Sequence, residues 1–303
     1  MVSIVQIKNK LPMDFIEEIY STYNQRISDK ILMGIDSKRL TTLRVNTLKY
    51  DINSLTKYFD KVNIEYDKVL WYDDALIIKN ANESELQQLD IYKNGYIYIQ
   101  SLSSMIPPLV LNPREGENIL DLTAAPGSKT TQMACMMHNK GYILANELNK
   151  IRCEKLKYNV NMQGAEIVEI TNKDGTELNY KEKFDKVLLD TPCSGEGRFI
   201  LEDENTYKTW SIKQVNELAK LQKKLIKSGV DSLKNGGEIV YSTCTLNKKE
   251  NEEIVDWVIK NLKLELLDID LKIKDSIKIL NKAMQILPNE TQEGFFIAKL
   301  RKI

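Results

Sequence analysis

The sequence has little of the chemistry from which protein metal sites are usually built. It contains one histidine, His138, and four cysteines, Cys135, Cys153, Cys193 and Cys244. No two of these cysteines form the CxxC spacing on which zinc sites are commonly built, so we expect no metal site. Disulfides are rare in a reducing cytosol. Each cysteine is therefore expected to be either an inert core thiol or a reactive one.

Long hydrophobic runs and a net charge are also missing. No apolar segment approaches the ~20 residues that cross a bilayer, and the first residues contain no apolar stretch of signal-peptide length. We therefore expect no membrane partner and a cytoplasmic location. The 43 basic and 43 acidic residues cancel, so the composition does not indicate a nucleic-acid binder, although a local basic stripe is compatible with a total of zero.

The residues that are present fit a soluble chain with a substantial core and a smaller appended domain. The chain has 303 residues, of which 42% are hydrophobic and 28% charged, an ordinary globular composition. The first part mixes helical and alternating patterns. The patterns predict helices at 12–26 and 54–59 and strands at 43–48 and 75–78. We expect a small α+β N-terminal domain over residues 1–92.

From residue 118 onward, strand and helix patterns alternate along the chain. The predicted strands are 118–122, 142–145, 167–170, 186–189, 238–241 and 295–299, and the predicted helices are 129–137, 150–161, 215–233 and 249–261. Such alternation implies an α/β domain, here residues 93–303, with a mostly parallel, doubly wound, Rossmann-like sheet and helices on both faces. We expect the last strand to close the edge of this sheet.

A tight loop of small residues joins the first of these strands to the first helix. Its sequence, DLTAAPGSKT, runs from Asp121 to Thr130. Glycine and small side chains let backbone amides approach a ligand, and a helix N-terminus favours negative charge. A nucleotide-like cofactor binds at this point in doubly wound folds. The candidate cofactor-binding residues are Ala124, Ala125, Pro126, Gly127, Ser128, Lys129 and Thr130. The alternative is a tight turn without a ligand.

Acidic residues follow the next two predicted strands. Glu147 comes about 20 residues after the loop, where a carboxylate can accept hydrogen bonds from two ribose hydroxyls. Asp174 follows the third strand, where an acid can contact an adenine amino group. A solvated loop glutamate is the alternative for Glu147.

Two cysteines stand at the ends of the fourth and fifth predicted strands. The segment LLDTPCSG carries Asp190 and Cys193, and VYSTCT carries Cys244. Both strand ends face the cofactor crevice of such a fold, so these three side chains are expected to converge. A buried free cysteine is more often a small core residue. Pro192 and Gly195 nevertheless place Cys193 in a loop, and two cysteines beside a cofactor loop favour a function.

At these residues the sequence resembles the NOL1/NOP2/Sun family of RNA cytosine-5 methyltransferases, and is most similar to its bacterial 16S ribosomal RNA subgroup. The motifs DLTAAPGSKTTQ, LLDTPCSGEGRF and YSTCTLNKKENEE carry the resemblance, and RVNTLK, QSLSSMIPP and GFFIAKLRK extend it over nearly the whole chain. The resemblance implies a class I methyltransferase fold, S-adenosyl-L-methionine as methyl donor and RNA as partner. It also implies that residues 1–92 recognise RNA and that residues 93–303 form the catalytic domain.

The resemblance also implies roles for the strand-end residues. Cys244 attacks carbon 6 of cytosine as a thiolate, and Cys193 takes part in release of the product. Asp190 hydrogen-bonds to N3 and the exocyclic amine, and Lys129 orders the catalytic loops or polarises the base.

The cofactor is expected to lie across residues 124–130, where Asp190 also borders it. Glu147 would hold its ribose and Asp174 its adenine. Arg152 either flanks the cofactor or is an ordinary solvated helix arginine.

The sequence departs from the family in two places, and the second departure leaves the RNA target open. Thr191 stands where alanine is usual, a small change, and the sequence stops directly after GFFIAKLRK. We therefore expect no additional C-terminal RNA-binding domain of the kind many bacterial relatives carry. Ribosomal RNA or a ribosomal particle is the expected substrate, and tRNA is the alternative; another is a catalytically silent assembly factor. The chain is expected to be a monomer. Candidate RNA contacts, or ordinary surface charges, are Lys8, Lys10, Arg39 and Arg44.

Overall fold

The computed structural model describes residues 3–178 and 180–303. The helices are α1 (Ile4–Lys10), α2 (Met13–Thr22), α3 (Gln25–Asp36), α4 (Ile52–Lys61), α5 (Glu83–Gln88), α6 (Asp90–Lys93), α7 (Leu102–Leu111), α8 (Ser128–Met136), α9 (Lys150–Gln163), α10 (Ile212–Ser232) and α11 (Glu252–Asn261). The strands are β1 (Thr41–Val45), β2 (Tyr66–Lys68), β3 (Ala75–Ile78), β4 (Ile97–Ile99), β5 (Asn118–Asp121), β6 (Tyr142–Asn146), β7 (Val168–Thr171), β8 (Phe184–Asp190), β9 (Leu233–Thr243), β10 (Leu264–Leu267), β11 (Ser276–Ile279), β12 (Ala283–Ile286) and β13 (Phe295–Lys302).

A small antiparallel sheet with the order β2-β3-β1-β4 forms near the N-terminus. Helix α4 covers it with Leu55 and Phe59, which are fully buried and lie one turn apart on the same helix face. The side chain of Asp51 begins this helix by accepting a hydrogen bond from the N–H of Ser54. Strand β4 follows residue 92, so the sheet extends past that position, and the domain boundary at 92 stays a prediction.

The first three helices pack on the larger part of the molecule. The ring of Phe15 lies 5.0 Å from that of Phe199 and 5.8 Å from that of Trp210, measured between centroids. The single helix predicted over 12–26 is wrong. Helix α2 ends at Thr22, and Asn24 caps the start of α3 by accepting a hydrogen bond from a backbone N–H.

The large sheet has the order β11-β12-β13-β9-β8-β5-β6-β7, with β10 beside β13. Strands β5 to β9 are parallel, which confirms the Rossmann-like class I fold. Successive residues of a strand face opposite sides of the sheet. Accordingly, Ile119 and Leu188 pack with α7, α8 and α9, whereas Leu120 and Leu189 pack with α10 and α11.

The last strand lies inside the sheet, so the expectation that it closes the sheet edge is wrong. Strand β13 pairs with β9 on one side and with both β12 and β10 on the other. Strands β10 to β12 have four residues each and carry little periodic signal. Because β13 runs antiparallel to β9, its first residues, Phe295 and Phe296, lie at the carboxyl end of β9, beside Thr243.

Helix α7 is an apolar segment buried beneath the strands. It contains Pro107 and Pro108, and it packs against α8 and β9. Within the part of the chain that the structure describes, no helix combines the length and the apolar character needed to traverse a bilayer.

Candidate active site

The carboxyl ends of the parallel strands open into one cavity of about 930 Å³, within the roughly 300–1,000 Å³ typical of small-molecule sites. Most of the residues predicted as site residues line it. These are Ala125, Pro126, Ser128, Lys129, Glu147, Arg152, Asp174, Asp190, Cys193 and Cys244. The structure thus brings the predicted cofactor loop, both acids and both cysteines to one place.

Three predicted loop residues, Ala124, Gly127 and Thr130, shape the loop without lining the cavity. The N–H of Ala124 donates to the carbonyl of Asn146 at the end of β6, at 2.8 Å. The Thr130 hydroxyl donates to Asp121 at 2.6 Å. Burial raises the pKa of Asp121 to about 7. These contacts fix the loop between two strand ends.

Gly127 begins α8 in a conformation that requires glycine. Its φ is +105°, and a Cβ there would lie 2.9 Å from a methyl carbon of Leu156, so a side chain would be both strained and crowded. Among the side chains that the structure describes, none caps this helix. Its first backbone N–H groups are therefore available to a ligand in the cavity.

Glu147 is well placed to bind a ligand hydroxyl. It is 5% exposed, and its Oε1 accepts a hydrogen bond from the N–H of Asn149 at 2.8 Å. Its Oε2 lies 3.6 Å from Nη1 of Arg152. Arg152 also donates to the carbonyl of Ala125 at 2.7 Å. The arginine therefore ties α9 to the loop.

Asp174 lies further out on the cavity wall, where its carboxylate begins a short 3₁₀ turn. It accepts hydrogen bonds from the N–H and the hydroxyl of Thr176, both at 2.8 Å. These bonds hold the pKa of Asp174 below its usual value. The carboxylate is therefore fixed in place and charged.

The two strand-end cysteines are in contact. Their sulfur atoms lie 3.3 Å apart, and both side chains are half-buried. The hydrogen bond with Cys244, together with burial, raises the pKa of Cys193 well above that of an ordinary thiol. Among residues 3–178 and 180–303, no group of three or more His, Cys, Asp or Glu side chains is arranged to hold a metal ion.

Asp190 and Lys129 form an ion pair beside the cysteines. The Lys129 Nζ lies 2.6 Å from Oδ2 of Asp190 and donates to Oγ of Ser104, also at 2.6 Å. The Lys129 side chain is only 9% exposed. The other oxygen of Asp190 accepts a hydrogen bond from Ser242 on β9 at 2.9 Å. Both carboxylate oxygens therefore have fixed partners.

Several cavity residues were not singled out from the sequence, although their motifs were. Ser104 lies in QSLSSMIPP, Arg198 in LLDTPCSGEGRF, and Phe295 in GFFIAKLRK, directly after Glu293 and Gly294. Arg198 follows Cys193 by five residues, but nothing local to the other two segments marks them as neighbours of the cysteines. The pairing of β13 with β9 brings the last of them there.

Two of the four candidate RNA contacts are engaged inside the protein. Arg44 is fully buried and donates to Gln100, Thr131 and the carbonyl of Ser128, so the expectation that it contacts RNA is wrong. Arg39 donates to two backbone carbonyls near the cysteines. Lys8 and Lys10 lie against Tyr20 and Glu202 respectively, and a role for them in RNA binding stays a prediction.

Comparison with known proteins gives concordant matches. A family model described as 16S rRNA methyltransferase RsmB/F matches residues 108–301. A tRNA (cytosine(49)-C(5))-methyltransferase of Pyrococcus abyssi is 36% identical over 96% of this chain and 99% of its own length. Ribosomal RNA small subunit methyltransferase F of a Shewanella species is 35% identical over 97% of this chain, which spans 63% of that relative. A solved methyltransferase homolog from Pyrococcus horikoshii aligns over both whole chains, with 29% identity and a TM-score of 0.85.

The fold, the cavity and these relatives together define an S-adenosylmethionine-dependent RNA cytosine-5 methyltransferase. Within that class, the chain belongs to the 16S rRNA methyltransferase RsmB/F family. The residues present fit the cofactor: a cavity of suitable volume, an uncapped helix start at Gly127 and a buried carboxylate at Glu147 lie side by side.

Proposed function

We propose that this enzyme methylates carbon 5 of a cytosine in ribosomal RNA through a covalent bond between Cys244 and carbon 6 of the base. The observation that carries the proposal is the 3.3 Å contact between the Cys193 and Cys244 sulfurs. This contact lies in the same cavity as the cofactor loop.

The chemistry requires a nucleophilic residue because carbon 5 of cytosine is too weak a nucleophile to take a methyl group unaided. Addition of the Cys244 thiolate to carbon 6 forms a C–S bond and breaks the C5–C6 double bond, whose electron pair makes carbon 5 enamine-like and nucleophilic. When bound, S-adenosylmethionine supplies an electrophilic methyl group. Carbon 5 would take up that methyl group, with S-adenosylhomocysteine as the leaving group. A base then removes the proton of carbon 5, the C5–C6 double bond re-forms, and the C–S bond breaks with its electron pair returning to the Cys244 sulfur.

Cys193 has the properties of a partner in the last step. Its sulfur lies 3.3 Å from that of Cys244, and this hydrogen bond, together with burial, raises the pKa of Cys193. Formation of the adduct removes the Cys244 sulfur from this hydrogen bond. Cys193 is then available for the proton transfers that accompany elimination and product release.

Asp190 and Lys129 act on the base. Negative charge that develops on the ring is stabilised by donors aimed at it. Asp190 accepts a hydrogen bond from the exocyclic amine and shares a proton with N3, and Lys129 orients this side chain from 2.6 Å. Glu147 and Asp174 hold the ribose and adenine of the cofactor, while residues 124–130 and Arg152 form the wall beside it.

The RNA target has two candidates. Ribosomal RNA is favoured by the family description, with residues 1–92 taking part in recognition of the RNA backbone and shape. Transfer RNA is favoured by one specific observation. The tRNA enzyme of P. abyssi is matched over 99% of its length, whereas this chain spans only 63% of the Shewanella ribosomal RNA enzyme.

A radiolabelled methyl-transfer assay on 16S ribosomal RNA and on tRNA tests the proposal. Cys244→Ala is expected to abolish transfer, whereas the matched control Cys153→Ala removes a buried α9 thiol that does not line the cavity and retains it. If Cys244→Ala transfers methyl groups as fast as the unmodified enzyme, the nucleophile is wrong. Label in 16S RNA alone supports the ribosomal target, and label in tRNA alone replaces it with the second candidate.

A further inference from the structure

The mouth of the cavity holds an arginine that the reaction scheme above does not use. Arg198 lines the cavity together with Cys193 and Cys244, and its side chain is 65% exposed. The charge of Glu293, and after it the two thiols, raise the pKa of Arg198. A cation therefore stands beside the nucleophile.

The backbone next to Arg198 is fixed directly to the nucleophile. The N–H of Gly197 donates to the carbonyl oxygen of Cys244 at 3.0 Å, and the N–H of Gly294 donates to the carbonyl of Gly197, also at 3.0 Å. A Cβ at Gly197 would lie 1.9 Å from the Gly294 carbonyl oxygen. Glycine at this position lets the segment that carries Glu293 approach Arg198.

A second arginine holds this backbone from the other side. Arg39, whose side chain is 16% exposed, donates to the carbonyls of Gly197 and Phe199 at 2.9 and 3.2 Å. These two carbonyls flank Arg198 in the chain. Arg39 therefore fixes the peptide unit that precedes Arg198 and the one that follows Phe199.

One carboxylate joins the two arginines. Oε1 of Glu293 lies 3.5 Å from Nη1 of Arg39 and 3.8 Å from Nε of Arg198. The carbonyl of Glu293 accepts a hydrogen bond from Ser103 of α7 at 2.7 Å. An ion pair as exposed as that of Arg198 contributes little to stability. Three segments that are distant in sequence nevertheless hold Arg198 in place. We therefore look for its role in the chemistry of the cavity rather than in stability.

We propose that Arg198 stabilises the thiolate form of Cys244, and that Glu293 and Arg39 are positioning residues that hold it there. The inference rests on the proposed role of Cys244 as nucleophile. A nearby cation favours the ionised form of a thiol. Because Arg198 is largely exposed, salt screens its effect.

The pH dependence of thiol alkylation tests the inference. The unmodified enzyme and its variants are treated with iodoacetamide across a pH series. Tryptic peptides then report Cys244 separately from Cys193, because cleavage sites lie between them. Arg198→Gln is expected to raise the midpoint for Cys244 by about one pH unit, and Arg198→Lys by less, since the charge remains. The control Arg301→Gln breaks an ion pair with Glu238 at the far end of β13 and leaves the midpoint unchanged.

A measurement on the unmodified enzyme does not depend on the folding of any variant. Raising the salt concentration to 1 M is expected to raise the Cys244 midpoint, because screening weakens the field of Arg198. A midpoint that neither salt nor Arg198→Gln changes overturns the inference. If this happens while Cys244→Ala still abolishes methyl transfer, only the role of Arg198 is lost. If Cys244→Ala retains transfer, the proposed function itself fails.

Discussion

The sulfur atoms of Cys193 and Cys244 lie 3.3 Å apart although 51 positions separate the two residues in the chain. Parallel pairing of β8 with β9 produces this contact. This pairing places Asp190 opposite Ser242. Cys193 follows Asp190 by three residues and Cys244 follows Ser242 by two, so both cysteines lie just beyond the paired strand ends. The same register delivers the hydrogen bond from Ser242 to Asp190. Two thiols and one carboxylate are thereby fixed by a single strand pairing.

Replacement of Lys129 by methionine is expected to lower kcat for methyl transfer by about 10²-fold, because a charge that orients Asp190 is lost. The substitution leaves the carboxylate with Ser242 as its remaining partner. Steady-state kinetics with RNA and S-adenosylmethionine varied separately measure the effect. Lys140→Met is the control, because Lys140 pairs with Glu115 on the surface. Equal kcat values for the two variants would contradict the role given to Lys129.

Gly127→Ala is expected to weaken S-adenosylmethionine binding about tenfold or more. An alanine there has an unfavourable φ of +105° and meets Leu156 at 2.9 Å, which shifts the loop at the start of α8. Isothermal titration calorimetry gives the Kd. Gly236→Ala is a matched control, since Gly236 has a φ of +77° but open space around its Cβ position. A similar loss of affinity in both variants would show that the loop is not specifically responsible.

Glu147→Ala is expected to raise the Kd for S-adenosylmethionine by about 10- to 100-fold, the equivalent of a hydrogen bond to a charged group at about 1.5–3 kcal/mol. Asp174→Ala is expected to have a smaller effect, because this carboxylate is more exposed and already bonds to Thr176. The same titrations compare the two variants. An unchanged Kd for S-adenosylmethionine in Glu147→Ala would show that Glu147 does not bind the ribose.

The buried carboxyl group of Glu196 is expected to make the free energy of unfolding depend on pH. It is buried behind the Cys193 loop, where Trp210 and Asn247 both donate to its Oε1 at 3.0 Å. Burial raises its pKa to about 7, against about 4.3 for an exposed glutamate. Between these values the folded state binds more protons than the unfolded state. The free energy of unfolding therefore falls as pH rises, with a limiting slope of about 1.4 kcal/mol per pH unit from this group.

Glu196→Gln removes this contribution while keeping an acceptor oxygen for Trp210 and Asn247. Urea unfolding between pH 5 and pH 7 is expected to show a shallower loss of stability in the variant than in the unmodified protein. Identical pH slopes would mean that Glu196 does not titrate with a raised pKa in the folded state.

The sequence predicted the parallel sheet and the meeting of those reactive residues that directly follow its strands. The alternation of strands and helices predicted the parallel sheet, because buried strands and amphipathic helices leave periodic patterns. Strand ends in such a sheet share one edge, so the meeting of Asp190, Cys193 and Cys244 followed from their positions alone. The family resemblance then implied different roles for the two cysteines, and the structure contributes the raised pKa of Cys193.

The parts that could not be predicted depend on contacts between distant segments. The burial of Arg44 requires partners in α8 and beside α7, and nothing in the RVNTLK motif indicates them. The interior position of β13 depends on three short strands with weak patterns. The Arg39–Glu293–Arg198 cluster joins three regions of the chain. The sequence does show glycine at positions 197 and 294. That the two glycines approach each other closely can be seen only in the structure.

Trapping of the covalent intermediate tests the central claim most directly. RNA substrate, S-adenosylmethionine and Cys193→Ala enzyme are combined and run on a denaturing gel, beside the Cys193→Ala/Cys244→Ala double variant. Because Cys244 can still attack and release is impaired, the single variant is expected to show a slower-migrating protein–RNA band. The double variant is expected to show none. A band of equal intensity in both, or none in the single variant while Cys244→Ala alone remains active in methyl transfer, would contradict the two-cysteine mechanism.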